Sequence, residues 1–260
     1  MWQAADGCTI RYEWEKRFSM RRSRVMVSVA ALAGVCVIGS GLTGFTSTDA
    51  AEVNAVDAVA AIQEVAPQAL ASATTGGATE DAAVQASTAD GLEVQLPVDA
   101  ADGVQVSLPG GGVSIGLPFA DQATDATASQ VPGVVVYDNN NGSSTVPVVH
   151  ADGTVQINTF IENANAPKRY DYSLTVPEGQ HARLLEDGSV YVGSEDGQAV
   201  SAIIPAPWAK DAHGTAVATH YELSGNTLTQ AGCRLRQRCA DVLLPLYPRR
   251  SGRCGLHHPR

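Results

Sequence analysis

The chain has 260 residues, with 17 Lys or Arg, 27 Asp or Glu and a formal net charge of −10 at pH 7. The negative charge is concentrated in residues 51–230, where 22 acidic residues face four basic ones, and this excess repels phosphate backbones and excludes nucleic acid as a partner. Aromatic residues make up 5% of the chain, and long stretches are rich in Ala, Thr, Gly and Asp, so much less than the full length is expected to pack a core.

A basic cluster followed by an apolar run has the form of an export signal. Residues 21–24 read Arg-Arg-Ser-Arg, and apolar and small residues fill positions 25–38. This order, followed by small residues, is typical of a secretory signal peptide. We therefore predict a signal over Met20–Ala50, with cleavage after Ala50 or after Ala55.

The alternative interpretation of the same segment is an uncleaved membrane anchor. Weakly apolar residues continue to Phe45, but glycine, serine and threonine dilute them. Because a spanning helix needs about 20 predominantly apolar residues, the cleaved signal is favoured. We expect a secreted or cell-surface protein in which residues 1–50 are an extension and signal, and in which membrane contact occurs only through this segment.

Residues 51–90 are predicted to be an acidic, low-complexity linker. Apolar residues near every third position in residues 51–70 are compatible with a short amphipathic helix that ends before Pro67. The composition of residues 71–90 is that of a linker.

A threefold repeat opens the predicted β-rich module, which spans residues 91–230. Residues 91–97, 103–109 and 112–118 each read Gly-apolar-x-apolar-x-Leu-Pro. Alternation of apolar with other residues, beginning after a glycine and ending at a proline, is typical of a short half-buried strand. The proline ends the strand because it has no N–H to donate to the hydrogen bonds between strands. Three such strands bury too little surface alone, so we expect them to pair with each other or with the following segment.

Residues 112–116 of this repeat also match Gly-x-Ser-x-Gly, the nucleophile elbow of α/β-hydrolases. That elbow needs a helix directly after the serine, and here Leu117-Pro118 follows instead. Ser114 occupies the same position of the repeat as Glu93 and Gln105, which is the outward slot of a strand. We therefore interpret Ser114 as structural.

Residues 131–230 consist of short alternating segments with turn sequences at nearly even spacing, which predicts an all-β fold, an antiparallel sandwich or open barrel. The hairpin turns are predicted at Asn141-Gly142, Asp152-Gly153, Asp187-Gly188, Asp196-Gly197 and Gly225-Asn226. The predicted strands are Val134–Tyr137, Thr145–His150, Val155–Ile161, Arg169–Val176, His181–Leu185, Val190–Val192, Ala199–Ile204, Ala216–Leu223 and Thr227–Leu228.

The module contains no catalytic, cofactor or metal pattern, and we predict that it is not an enzyme. Residues 138–142 resemble a calcium loop, but the glycine falls one residue early and no glutamate closes the loop, so a turn is expected. His150, His181, His213 and His220 show no metal-ligand spacing.

One polar loop is the candidate for binding. After two prolines, it carries Trp208, Lys210, Asp211 and His213. Trp208 and His213 could line a binding groove. The alternative is structural, because a tryptophan beside prolines often caps the open end of a sandwich.

Residues 231–260 are unlike the rest of the chain, with seven Arg, no Lys and three of the five Cys. The bias is that of a GC-rich gene translated in a wrong frame. A genuine basic tail, or thiols in a disulfide or metal site, is the alternative, but the cysteine spacing matches no zinc module. We predict a disordered, frameshifted tail after about Gln230.

Four segments carry a resemblance to known proteins: Val-Val-Val-Tyr-Asp-Asn-Asn-Asn-Gly at 134–142, Arg-Tyr-Asp-Tyr at 169–172, Trp-Ala-Lys-Asp at 208–211, and the stretch 219–230. They resemble a β module of uncharacterised secreted proteins from high-GC actinobacteria, over about residues 90–230. In that family the module continues through Val-Val-Asp to a Pro-Val-Val-Ala-Asp-Pro-like stretch, whereas this chain departs from the pattern at about Ala231. The resemblance implies no activity, cofactor or catalytic residue.

The sequence therefore predicts an exported, non-enzymatic, β-rich interaction or stalk module with a partner in the cell envelope or the extracellular space. The alternative is the N-terminal part of a secreted hydrolase or toxin precursor whose active region is lost downstream.

Overall fold

The computed structural model describes residues 25–32, 50–74, 76–108 and 111–232, with side chains described from residue 55 onward. The described residues form one α-helix, α1 (Ala50–Val65), and a series of strands. The strands are β1 Val25–Leu32, β2 Ala82–Ser87, β3 Glu93–Pro97, β4 Val104–Leu108, β5 Gly111–Ile115, β6 Thr127–Ala128, β7 Val135–Asp138, β8 Ser143–Val149, β9 Val155–Ile161, β10 Arg169–Thr175, β11 Gln180–Leu184, β12 Val190–Ser194, β13 Val200–Ile204, β14 Ala209–Lys210, β15 Ala216–Val217, β16 Thr219–Ser224 and β17 Thr227–Gly232.

The strands build two sheets. The first has the order β11-β12-β13-β1-β9-β8-β7-β6, with β14 beside β1 and β15 beside β14. The second has the order β16-β17-β10-β5-β4-β3-β2, and all its pairs are antiparallel. The prediction of an all-β antiparallel sandwich is confirmed.

The sandwich core lies between the two sheets. Leu96 and Ile115 of the second sheet are fully buried together with Ile157 and Ile204 of the first. Strand β10 shows the strict alternation of buried and exposed residues expected of a strand with one face on this core.

A second core lies on the opposite face of the first sheet, where α1 packs. Ala58 and Ile62 of α1 are completely buried against Val136, Val146 and Phe160. The molecule therefore has three layers, and the first sheet is in the middle. This explains why every residue of β8 is buried.

All five predicted hairpin turns are present. They join β7 to β8, β8 to β9, β11 to β12, β12 to β13 and β16 to β17. The glycine of each turn has a positive φ, between 56° and 82°. Glycine adopts this conformation without steric cost, which is why these dipeptides predicted the turns.

The three repeat copies supply β3, β4 and β5, which pair with one another as expected. The predicted strand over residues 216–223 is instead two strands, because the chain crosses between sheets at Ala218. Before that residue, β15 pairs with β14 in the first sheet, and after it β16 pairs with β17 in the second.

Residues 51–90, predicted to be a linker, contain one α-helix and one strand. The chain forms α1 early in this range, as the apolar spacing allowed. Residues 82–87, expected to be linker, form β2, which pairs with β3 and buries Ala82 and Val84. Composition misled here because small residues suit a crowded strand as well as they suit a linker.

Three predictions concern the ends of the chain. The apolar run of the predicted signal contributes β1, while the rest of residues 1–49 and residues 233–260 lie outside the described residues. Ala231 and Gly232, assigned to the tail, instead continue β17 and pair with β10 or β16. Among the described residues, none of the helices has the length and apolar character that crossing a membrane requires.

Candidate functional site

The predicted binding loop lies where α1 meets the first sheet. Trp208 is half-buried and packs against the core beneath α1. Lys210 Nζ donates to the carbonyl oxygen of Val65 at 2.8 Å, which places a cation at the negative end of the helix. Both side chains therefore hold the helix layer to the sheet, which is a structural role different from capping the open end of a sandwich.

The other two loop residues form a tight turn. The carboxylate of Asp211 accepts the backbone N–H groups of Thr215 and His213, each at 2.9 Å. These hydrogen bonds, that of Thr215 first, lower the pKa of Asp211. His213 is the exposed member of the loop.

Ser114 lies inside β5, as predicted, and not at a strand-to-helix turn. Its Oγ accepts a hydrogen bond of 2.9 Å from Gln105 Nε2 on the neighbouring strand. Its other cross-strand neighbour is Thr175 of β10.

The calcium-like loop at residues 138–142 is a turn. Asp138 Oδ1 accepts the backbone N–H of Asn140 at 2.8 Å, and Asn140 itself has a φ of 52°. Within the part of the chain that the structure describes, no three His, Cys, Asp or Glu residues gather in a way that could hold a metal ion.

A cluster that the sequence did not single out lies at the edge of the second sheet. Arg169 of β10 and His220 of β16 both stand opposite Ala231 of the strand between them, β17. Glu222 is two residues beyond His220 and so shares its face. The pairing of β10 and β16 with β17 thus brings an arginine, a histidine and a carboxylate together.

The ion pair in this cluster is bidentate. Arg169 Nη2 donates to Glu222 Oε2 at 2.7 Å, and Nη1 donates to Oε1 at 3.2 Å. His220 Nε2 lies 3.2 Å from Glu222 Oε1. The hydrogen bonds from Arg169, and then from His220, lower the pKa of Glu222 to about 2. The side chains of Arg169 and Glu222 are 56% and 48% exposed, so a ligand can reach both.

An open groove of about 780 Å³ lies beside this cluster. Its lining combines charged, amide and apolar groups: Phe119, Ala164, Asn165, Ala166, Pro167, Lys168, Arg169, His220, Glu222, Ala231 and Gly232. Lys168 and Arg169 are two of the four basic residues within positions 51–230, so the groove gathers rare positive charge on an acidic protein.

Phe119 is held in the groove in an unusual backbone conformation. Its φ of 59° is in the left-handed region, which is an outlier for a bulky residue. Its ring meets that of Tyr170 edge-on, with centroids 5.7 Å apart and planes at 89°. Such strain persists where the surroundings fix it and is enriched at binding sites. We call Phe119, Lys168, Arg169, His220 and Glu222 the edge groove.

No known protein family, curated protein or solved structure matches this chain. The edge groove is therefore interpreted from its own geometry. In the sequence, the unusual adjacent pair of basic residues at 168–169 was the signal available for it. Which residues Arg169 would meet depended on the register of three strands, which no local pattern specifies.

Proposed function

We propose that the protein is an exported, non-enzymatic interaction module whose edge groove binds an uncharged, hydroxyl-rich ligand of the cell envelope, of the chemical class of a glycan. The observation that carries this proposal is the half-exposed Arg169–Glu222 pair beside the ring of Phe119.

The polar part of the groove offers donors and acceptors side by side. A guanidinium has five N–H donors and a carboxylate has about four acceptor sites. After a bidentate pair has formed, both groups can therefore make further hydrogen bonds. Adjacent hydroxyl groups, which donate and accept at once, match such a pair. The apolar wall of Phe119 and Pro167 suits the carbon skeleton between them.

Charge favours a neutral ligand over an anionic one. Lys168 and Arg169 are balanced locally by Glu222 and by Asp171, which is exposed on the same face of β10. The large negative charge of residues 51–230 then repels anions at longer range, whereas a neutral ligand is unaffected.

The protonation state of the site supports binding without catalysis. A general acid or base works best when its pKa lies near the working pH. With a pKa of about 2, Glu222 stays ionised across the physiological range. Its role is then to hold Arg169 and to accept hydrogen bonds.

Binding can be tested by co-sedimentation of the full chain with purified neutral cell-wall polysaccharide. We expect Arg169→Ala and Phe119→Ala each to weaken binding by about tenfold, since a charge-assisted contact or a stacked ring contributes about 1.4 kcal/mol or more. Arg183→Ala is the matched control, because Arg183 is an exposed arginine on β11 in the other sheet. An equal loss of binding in the two arginine variants would show a non-specific effect of charge. It would contradict the proposal that the ligand binds in the edge groove.

Export is tested separately by N-terminal sequencing of secreted protein, with a mature start at Ala51 or Val56 as the expected result. Recovery of intact chain from the cytosol alone would contradict the proposal.

A further inference from the structure

Strand β1 has an unusual place in the first sheet. It lies between β9 on one side and β13 and β14 on the other, and it runs parallel to all three. Every other pair among the named strands is antiparallel. The pairing with β9 is continuous over six residues, from Val27 opposite Val155 to Leu32 opposite Phe160.

No hairpin ties β1 to its neighbours. Antiparallel neighbours can be joined by a two-residue turn, but parallel strands need long connections. The strands beside β1 lie more than a hundred residues later in the chain, so β1 is held there by backbone pairing. The segment can therefore be removed without breaking any hairpin of the sandwich.

The residues of β1 are also the start of the apolar run in the predicted export signal. If that signal is cleaved after Ala50 or Ala55, as the proposed function expects, β1 is lost while residues 56–65 of α1 and the later strands are retained. The inner edges of β9, β13 and β14 then face a gap one strand wide. Unpaired edges in the middle of a sheet readily accept another strand.

We propose that this gap is a strand-binding site. Residues 25–32 fill it in the uncleaved chain, and an apolar extended segment of a partner protein fills it, in parallel, after cleavage. The site rests on the export step of the proposed function, but not on the edge groove.

The walls of the gap define the occupant. Val155 and Ile157 of β9 are fully buried on the face toward the core between the sheets, so the positions opposite them require apolar residues. Gln156 and Asn158 point to the other face and bond to each other at 2.6 Å, and Ser28 and Ala30 stand opposite them in β1. The expected occupant therefore alternates apolar with small or polar residues over about six positions.

A second copy of the processed chain is a poor occupant. Cleavage removes residues 25–32 from every copy, and two strongly acidic chains repel each other. A partner protein keeps its own apolar extended segment and need not be acidic, so neither argument applies to it.

The test starts from the folded, full chain, with a protease site inserted between Gly39 and Ser40. After cutting, the N-terminal fragment is removed in urea, and the protein is refolded with or without excess fluorescent peptide of residues 24–33. We expect the peptide to be retained on size exclusion and to slow amide exchange at Ile157 and Ile203. A peptide with Val27→Asp and Val29→Asp should bind at least about tenfold more weakly, because it would bury two charges.

Each outcome decides one question. If the peptide fails to enter the refolded chain, or the aspartate peptide binds equally well, the strand site is wrong. The proposed strand site is also wrong if the amide hydrogens of β9 exchange equally fast with the peptide bound and with the gap empty. Secreted protein that retains Met20 would show that the signal is not cleaved, and residues 25–32 would then still fill the gap and overturn its use by a partner.

Discussion

At the residue scale, two tyrosines tie the sheets together across the core. Tyr137 of the first sheet donates to the carbonyl oxygen of Pro97 in the second, at 2.6 Å. Tyr172 of the second sheet lies 3.1 Å from Thr159 Oγ1 of the first. Each phenol combines a large buried area with one satisfied polar group, so the pair fixes the position of one sheet over the other.

These phenols predict a response to alkaline pH. Burial raises the pKa of Tyr170 to about 12 and raises that of Tyr137 and Tyr172 further. Because folding favours the protonated phenols, these tyrosines contribute fully to the stability of the folded state below the ordinary pKa of 10.0. That contribution is lost as the pH rises above this value.

Spectrophotometric titration should show this directly. We expect Tyr137, Tyr170 and Tyr172 to stay protonated near pH 10 in the folded chain and to ionise there in urea. Ionisation of these three near pH 10 under native conditions would contradict the buried positions.

The Arg169–Glu222 pair predicts a response to acid. The pKa of Glu222 falls from 4.5 to about 2 on folding, so its contribution to stability is present above pH 4.5 and is lost as the pH falls toward 2. The effect should be below about 1 kcal/mol, because the pair is exposed to solvent.

Urea unfolding between pH 2 and 4.5 provides the measurement. Glu222→Gln should flatten the dependence of the unfolding free energy on pH in this window. Glu178→Gln, a change of another exposed glutamate, is the control. It should reduce the slope of the unfolding free energy against pH less than Glu222→Gln does. Equal slopes for the two variants would argue against the ion pair.

At the scale of elements, local signals predicted the strands and turns well. Residues 155–161 alternate cleanly and follow an Asp-Gly turn, and the observed strand has the predicted bounds. Pairing over long distances was harder to predict. Residues 82–87 carry small side chains that give no strong signal, and β2 forms because β3 offers an edge to pair with.

The apolar run at residues 25–32 shows the limit of local patterns most clearly. A short continuous apolar segment is compatible both with a signal peptide core and with a buried strand. Its parallel pairing with β9 depends on residues far along the chain. The edge groove was missed for a similar reason, since Arg169 and Glu222 meet only through the registers of β10, β16 and β17.

The repeat glycines predict a local stability effect. Gly103 has φ 67° and ψ 167°, a region that is almost exclusive to glycine. A Cβ at this position would also lie 2.8 Å from the carbonyl oxygen of Ile115. Gly103→Ala should therefore lower the unfolding free energy by about 2–3 kcal/mol.

Gly197→Ala is the matched control for this substitution. Gly197 has a similar φ of 71°, but a Cβ there would meet nothing within 4 Å. The expected cost is about 1 kcal/mol, from backbone conformation alone. Urea denaturation of the two full-length variants measures the difference, and equal costs would mean that the approach to Ile115 is unimportant.

At the scale of the whole molecule, two cores share the middle sheet. The inter-sheet core and the core beneath α1 use opposite faces of the same strands, as in β7, where Val135 faces one and Val136 the other. Loss of either core would expose one face of that sheet. The three layers should therefore unfold as one cooperative unit.

Two optical probes can follow the two cores separately. Trp208 packs against the core beneath α1, and its fluorescence can be isolated by changing Trp2 and Trp14 to Phe. Near-ultraviolet circular dichroism of Tyr137 and Tyr172 reports on the core between the sheets. We expect the two signals to give the same urea midpoint.

The decisive variant is Ile62→Ala, which removes a fully buried side chain from α1. It should cost about 2–5 kcal/mol and lower both midpoints equally, although it lies on the far side of the sheet from the tyrosines. Val56→Ala is the control on the same helix, because Val56 is 58% exposed and should change stability by less than about 0.5 kcal/mol. A fluorescence transition that moves to lower urea while the tyrosine signal stays in place would show that α1 unfolds independently, and the middle sheet would then not couple the two cores.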